Sequence, residues 1–168
     1  EETTNDGDDA QQLADRLEQK GLGERRFIPL EKGAKQPAVS HTLPSNRKSI
    51  SDTALETPVS QNYGVYGGNG LLLLDIDDYD GVEAPPELEE LSPTLTVRTP
   101  HGGEHRYYCV PAGLEQKFEN EFGIRNPKTD WGEVRVHNQY VVGPGSQLDG
   151  CNKDWCDDCV TEDGGLYH

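Results

Sequence analysis

The sequence predicts an α+β domain of mixed or antiparallel sheets with short flanking helices. Three observations carry that reading. Apolar residues gather into short runs that pair around glycine turns, as in "NYGVYGGNGLLLLDID" and "TLTVRTPHGGEHRYYCV". The helical segments between these runs are short and polar, and no internal repeat is present. Strand pairs with segregated helices describe an α+β arrangement rather than alternating βα units. The chain of 168 residues suits one domain with a modest core. Its 32% hydrophobic content and formal net charge of -16 approach the disordered class. The clustering of its apolar residues argues instead for a folded domain.

Taken in order, residues 1–9, "EETTNDGDD", read as a disordered acidic lead-in to a folded domain over 10–168. Leu13, Ala14 and Leu17 recur at helical spacing, and Gly21 or Gly23 ends that helix. Phe27, Ile28 and Leu30 predict a strand, which Pro29 assigns to a sheet edge. "EKGAKQP" is a loop, and residues 40–60 a longer one with a short helix near 51–55. "NYGVYGGNGLLLLDID" predicts a hairpin, and "GVEAPPELEELSP" a polar helix or loop. "TLTVRTPHGGEHRYYCV" predicts a strand pair around Gly102 and Gly103, "LEQKFENEFG" a short helix, and "WGEVRVHNQYVVGPGS" a third hairpin. An acidic, cysteine-bearing excursion over 149–164 precedes a last strand, "GGLYH". The chain starts without methionine and stops inside that strand-like run, so it reads as a fragment of a longer protein.

An acidic chain with few lysines resembles the proteins of salt-in halophiles. At low salt its charge, with 31 acidic against 15 basic residues, repels nucleic acid. At molar salt the Debye length falls to about 3 Å, and local contacts decide. No run of eighteen apolar residues and no signal-peptide core is present, so a cytoplasmic protein without membrane contact is expected. Four cysteines in a chain of this length do not make a disulfide framework.

The chemistry concentrates where four leucines run into Asp75 and Asp77. Strand alternation places both carboxylates on one face with Ile76 on the other. Carboxylates that close repel unless a cation sits between them, and oxygen donors suit Mg²⁺ or Mn²⁺. Taken alone, the pair equally describes a turn, since Asp78, Tyr79, Asp80 and Gly81 follow. Glu133 is the candidate third acid; it shares a strand face with Arg135 and His137, while Val134 and Val136 face the core. A solvated face on which Glu133 simply pairs with Arg135 is the alternative. Gly102 and Gly103 permit a tight turn whose N–H groups can approach phosphate. His105 follows on the same face as Tyr107, and Arg98, His101 and Arg106 supply a local cationic group for phosphate.

These segments together resemble the bifunctional primase/polymerase domain of the archaeo-eukaryotic primase superfamily, found in archaeal and bacterial plasmids, viruses and integrated elements. The resemblance runs from Phe27 to Ser146 in the expected order and includes "FIPLEKGAKQP". It implies the primase type of fold, with an RRM-like catalytic core. The family's hydrophobic-Asp-x-Asp motif falls on Asp75 and Asp77, its small-x-His motif on Gly103-Glu104-His105, and its later acid on Glu133. Gly103 stands where many members have Ser, and Glu133 where many have Asp. The resemblance implies a haloarchaeal-type DNA primase and polymerase, in which Asp75, Asp77 and Glu133 hold two Mg²⁺ or Mn²⁺ ions and His105 contacts the triphosphate. Lys35, Gly102, Gly103, Arg106 and Arg135 are the further nucleotide-binding candidates. Single-stranded DNA template, dNTP or NTP, and a fused or associated helicase are the implied partners. A catalytically inactive nucleotide- or nucleic-acid-binding module, and a metal-dependent nuclease or phosphohydrolase, are the other classes these residues fit. Intact Asp75, Asp77, His105 and Glu133 speak against the first, and the histidine between the acid motifs against the second.

Cys151, Cys156 and Cys159 form Cys-x4-Cys-x2-Cys, whose last pair has zinc-ligand spacing. Cys109, His168, Asp154 or Asp158 is the available fourth ligand. Structural Zn²⁺ and a surface loop of reduced cysteines are equal alternatives.

Overall fold

The computed structural model describes residues 6–22, 26–31, 34–35, 38, 62–77, 85–148 and 166–167. The helix expected near 51–55 and the cysteine-bearing excursion over 149–164 lie outside them, as do residues 1–5 of the lead-in. The chain forms two compact units: Glu1–Val65 with Val142–His168, and Tyr66–Val141. Among the described residues no helix is long and apolar enough to cross a membrane.

In the first unit, α1 (Asp6–Gln19) buries Leu13, Ala14 and Leu17. It starts inside the stretch expected to be a disordered lead-in. Acid-rich sequence suits a helix start, where the macrodipole favours negative charge. The helix stops at Gly21, whose φ of 71° is left-handed. Gly21 N–H donates to the Glu18 carbonyl at 2.9 Å and Leu22 N–H to the Leu17 carbonyl at 2.8 Å, the paired bonds of a Schellman cap. Leu17 and Leu22, the two positions whose apolar side chains commonly accompany such a cap, are both buried. β1 (Phe27–Pro29) pairs antiparallel with β2 (Tyr63–Tyr66) and is the edge strand that Pro29 requires. Asn62 fastens two distant segments, donating to the carbonyls of Ala34 and Gln147 and accepting from Gln147 N–H. The strand expected at the end of the chain pairs through Leu166 and Tyr167 with Gly145–Gln147.

The second unit is built on a five-stranded antiparallel sheet. Its strands are β3 (Leu71–Ile76), β4 (Leu95–Arg98), β5 (Glu104–Cys109), β6 (Lys128–Thr129) and β7 (Gly132–Arg135), in the order β4-β5-β3-β7-β6. The apolar strand β3 is central, where its leucines are covered on both faces. Leu74 and Ile76 pack with Leu88 of the 3₁₀ helix Pro86–Glu90, against Leu72, Tyr108, Trp131 and Val134. Leu71 and Leu73 are buried on the opposite face. Each such side chain contributes about 1.5–3 kcal/mol on burial. α2 (Leu114–Phe122) follows β5 and ends at Gly123, with φ 72°.

Two of the three expected hairpins do not form. β2 and β3 belong to different sheets, as do β7 and β8 (Tyr140–Val142), which completes the three-stranded sheet β1-β2-β8. The glycines between β2 and β3 explain the first departure. A Cβ at Gly67 would lie 2.0 Å from the Arg135 carbonyl oxygen, and one at Gly68 2.8 Å from that of Val136. The segment is bare so that it can press on the end of β7 rather than fold β2 back on β3. The Gly102–Gly103 hairpin of β4 and β5 forms as expected.

Gly132 fixes the approach of β7 to β3. Its φ is 155°, and a Cβ there would sit 1.8 Å from the Asp75 carbonyl oxygen. Gly132→Ala is expected to destabilise the protein by about 2–3 kcal/mol, read by chemical denaturation. Tyr107 gives an opposite expectation. Its hydroxyl is buried without a hydrogen-bond partner among the described residues, and burial drives its ionisation far above the usual range. Tyr107→Phe, which removes the unmet donor, should raise stability by about 1 kcal/mol in the same measurement.

Candidate active site

The site forms where the central strand runs out of leucines. Alternation along β3 turns Leu74 and Ile76 to the 3₁₀-helix side and sends Leu71, Leu73 and Asp75 to the other face. Asp75 lies directly opposite His105 of β5 on one side and Glu133 of β7 on the other. Cross-strand partners share a face, with Cβ atoms about 4.5–5.5 Å apart. Residues 75, 105 and 133, far apart in the chain, therefore stand in one row across three neighbouring strands. Arg135, opposite Leu73, joins the same face one step along.

The row is tied together by charge. Asp75 Oδ1 lies 3.4 Å from His105 Nε2, and Asp75 Oδ2 3.1 Å from Arg135 Nη2. Arg135 Nε lies 3.3 Å from Glu133 Oε2, an ion pair without hydrogen-bond geometry. Arg135 Nη1 donates to the Tyr140 carbonyl. Lys128 Nζ, on exposed β6, reaches Glu133 Oε1 at 3.7 Å. His105 is buried, its side chain 7% exposed, whereas Asp75, Glu133 and Arg135 are each between 20% and 30% exposed. Asp77 follows β3, its N–H donating to the Trp131 carbonyl at 2.8 Å.

Asp77 reports the field of the cluster. Its carboxyl is held above the ordinary carboxylate value, first by burial and then by the negative charges of Asp75 and Glu133. Arg135 and His105 pull in the opposite direction. Carboxylates gathered so that Asp75 and Glu133 raise the proton affinity of Asp77 are hard-oxygen donors of the kind that Mg²⁺ or Mn²⁺ takes. Among the described residues no three His, Cys, Asp or Glu side chains stand ready-arranged about a metal position. The oxygens of Asp75 and Glu133 are turned to Arg135 and Lys128 instead.

With this geometry in view, comparison with known families is decisive. The family model for the N-terminal domain of bifunctional DNA primase/polymerases matches residues 20–164. The chain belongs to the Prim-Pol family. No curated protein and no solved structure matches it. Membership of this family points to a nucleotidyltransferase-type activity, DNA priming and polymerisation, with DNA and nucleotides as the substrate classes.

Not every candidate residue of the Prim-Pol domain is gathered at the row. Arg106 is next to His105 in sequence and therefore on the opposite face. It pairs there with Glu104 at 3.2 Å, which raises its pKa above the usual guanidinium value, and donates to the Leu88 carbonyl at 2.8 Å. Arg98, opposite Glu104, shares that far face. Arg98 and Arg106 of the expected cationic group thus lie together on the face opposite His105, as period-two alternation alone would have indicated. Gly102 N–H is engaged in the turn itself, donating to the Thr99 carbonyl at 3.0 Å, with φ 83°. Gly103 serves a close approach, since a Cβ would meet the Ile76 carbonyl oxygen at 2.5 Å. Lys35 is exposed after β1 in the first unit. His137 follows the end of β7, and its Nε2 lies 3.0 Å from Arg125 Nη1. Cys109 is exposed and unbonded, and Cys151, Cys156 and Cys159 lie outside the described residues.

Two members of the site were missed in the sequence. Lys128 lies on a two-residue strand, too short to announce itself by periodicity, although Lys128 and Glu133 flank a turn-like "TDWG" with opposite charges. The Tyr140 carbonyl carries no side-chain signal at all.

The Asp77 shift sets a sign for stability. Its native pKa lies above the unfolded value of 3.8, so the folded state holds the proton more tightly. That stabilisation is full below the unfolded value and is lost as pH rises through the native one. Metal-free Asp77→Asn is expected to melt above wild type at about pH 7, with the gap closing below about pH 4. Thermal melts in chelator across that range check it.

Proposed function

We propose that this Prim-Pol domain is a template-directed primase and polymerase that joins nucleoside triphosphates on single-stranded DNA by two-metal nucleotidyl transfer. Its context would be replication of a plasmid, virus or integrated element. The observation that supports the reading is the single row of Asp75, His105 and Glu133 on three adjacent strands, with Asp77 within their field.

Asp75, Asp77 and Glu133 are the residues that would hold Mg²⁺ or Mn²⁺. Bound there, the ions would activate a 3′-hydroxyl and offset charge on the departing pyrophosphate. The chain's own residues do the rest. His105 is fixed by burial and by its contact with Asp75, so its imidazole meets an incoming phosphate from a set direction without first being ordered. Arg135 adds a fixed positive charge on the same face, where charge accumulates in phosphoryl transfer. The apolar body of β3 holds the row rigid, because a shift of its register by one residue would turn Asp75 to the 3₁₀-helix side.

Incubation with single-stranded DNA, labelled nucleoside triphosphates and Mn²⁺ or Mg²⁺ in high salt is expected to give labelled product. Asp75→Ala should lower its yield on the order of 10³-fold or more, the several kcal/mol that metal stabilisation supplies. Shortened template would identify a nuclease, and unchanged template without product an inactive binding module. Full activity in Asp75→Ala would remove the metal assignment.

A further inference from the structure

The most unusual contact in the cluster is the guanidinium of Arg135. It lies between two of the three acids, 3.1 Å from Asp75 Oδ2 and 3.3 Å from Glu133 Oε2. Those two residues are register partners on β3 and β7, so their side chains face one gap. The gap already holds a cation, and it belongs to the chain. Lys128 also touches Glu133, but its side chain is 68% exposed and the contact is 3.7 Å, so solvent takes most of its effect. Arg135 is only 22% exposed and has a third anchor, the Tyr140 carbonyl, that no metal would contest.

We infer that Arg135 is a built-in stand-in for the divalent ion, and that metal must displace its guanidinium from Asp75 and Glu133 to bind. The inference rests on the reading of Asp75, Asp77 and Glu133 as metal ligands. Without metal, a guanidinium between Asp75 and Glu133 offsets the repulsion of facing carboxylates and keeps β3 and β7 in register. When metal enters, Nε and Nη2 give up the carboxylate oxygens while Nη1 keeps the Tyr140 carbonyl. The guanidinium thus turns aside without leaving the face. Arg135 therefore sets a threshold for metal binding: the same charge that protects the empty site competes with its ligand.

Removing that charge has opposite effects on a competitor and on a supporter of metal binding. Manganese alone is titrated into the protein without nucleotide, and the loss of the free Mn²⁺ electron paramagnetic resonance signal is followed. Arg135→Gln is expected to bind Mn²⁺ about tenfold more tightly than wild type. Arg135→Lys should fall between them, because one ammonium cannot bridge both carboxylates as the planar fork does. Asp75→Asn should lose the binding. Equal or weaker Mn²⁺ affinity in Arg135→Gln, with binding still lost in Asp75→Asn, would overturn the competition while leaving the metal site in place. No saturable binding that depends on Asp75 in any variant would remove the metal site and the inference together. Should Arg135→Gln fail to fold, Arg135→Lys carries the same comparison, and affinity at or below wild type overturns the proposal.

Discussion

The structure depends on how a carboxylate is kept at the end of a buried apolar strand. Taking a charge out of water costs several kcal/mol unless opposite charge replaces the lost hydration. β3 meets that cost through register. Antiparallel pairing brings His105 to one side of Asp75 and, one step beyond Glu133, brings Arg135 from the other. The four leucines before Asp75 hold that register, since any one-residue slip would bury Asp75 among Leu88, Tyr108 and Val134. The apolar and the charged parts of the strand are thus one device: burial supplies the rigidity, and the charges use it.

Much of this was legible in the residues. Period-two alternation placed Ile76 away from the acids, set His105 with Tyr107, and put Glu133 with Arg135 and apart from Val134. Each followed from local geometry, which a strand enforces wherever it lies. Membership of a sheet was not legible. The hairpin patterns at β2–β3 and β7–β8 pointed to neighbours in sequence, yet Gly67 and Gly68, between β2 and β3, serve backbone-to-backbone approach to residues about seventy apart, Arg135 and Val136. A glycine reads the same in sequence whether it turns a chain or lets another strand touch it. Arg106 shows a different failure. Its place beside His105 suggested a shared task, while alternation already assigned it to the opposite face, where Glu104 and the Leu88 carbonyl hold it.

The overall charge and the local charge of this Prim-Pol domain differ in meaning. A net charge of -16 describes a surface repelled by phosphate over distances of a Debye length. The acid row works over 3–4 Å, with Arg135 and His105 interleaved among its carboxylates. Salt screens the first and leaves the second nearly intact, because partly buried pairs are shielded from counterions. Affinity for a polyanion and arrangement of reacting groups are therefore separately adjustable in the same chain.

The sheet that carries the acid row is one uninterrupted segment, Tyr66–Val141, enclosed in sequence by the two parts of the other unit. This nesting bears on the order in which the protein assembles. Pairings such as β4 with β5 close loops of a few residues and are fast, whereas the first unit must unite Asn62 with Gln147 across the whole inserted stretch. A compact insert brings those two ends together at less entropic cost than a disordered one of equal length. Sequence separation thus favours the inner sheet as the part of the fold that closes first.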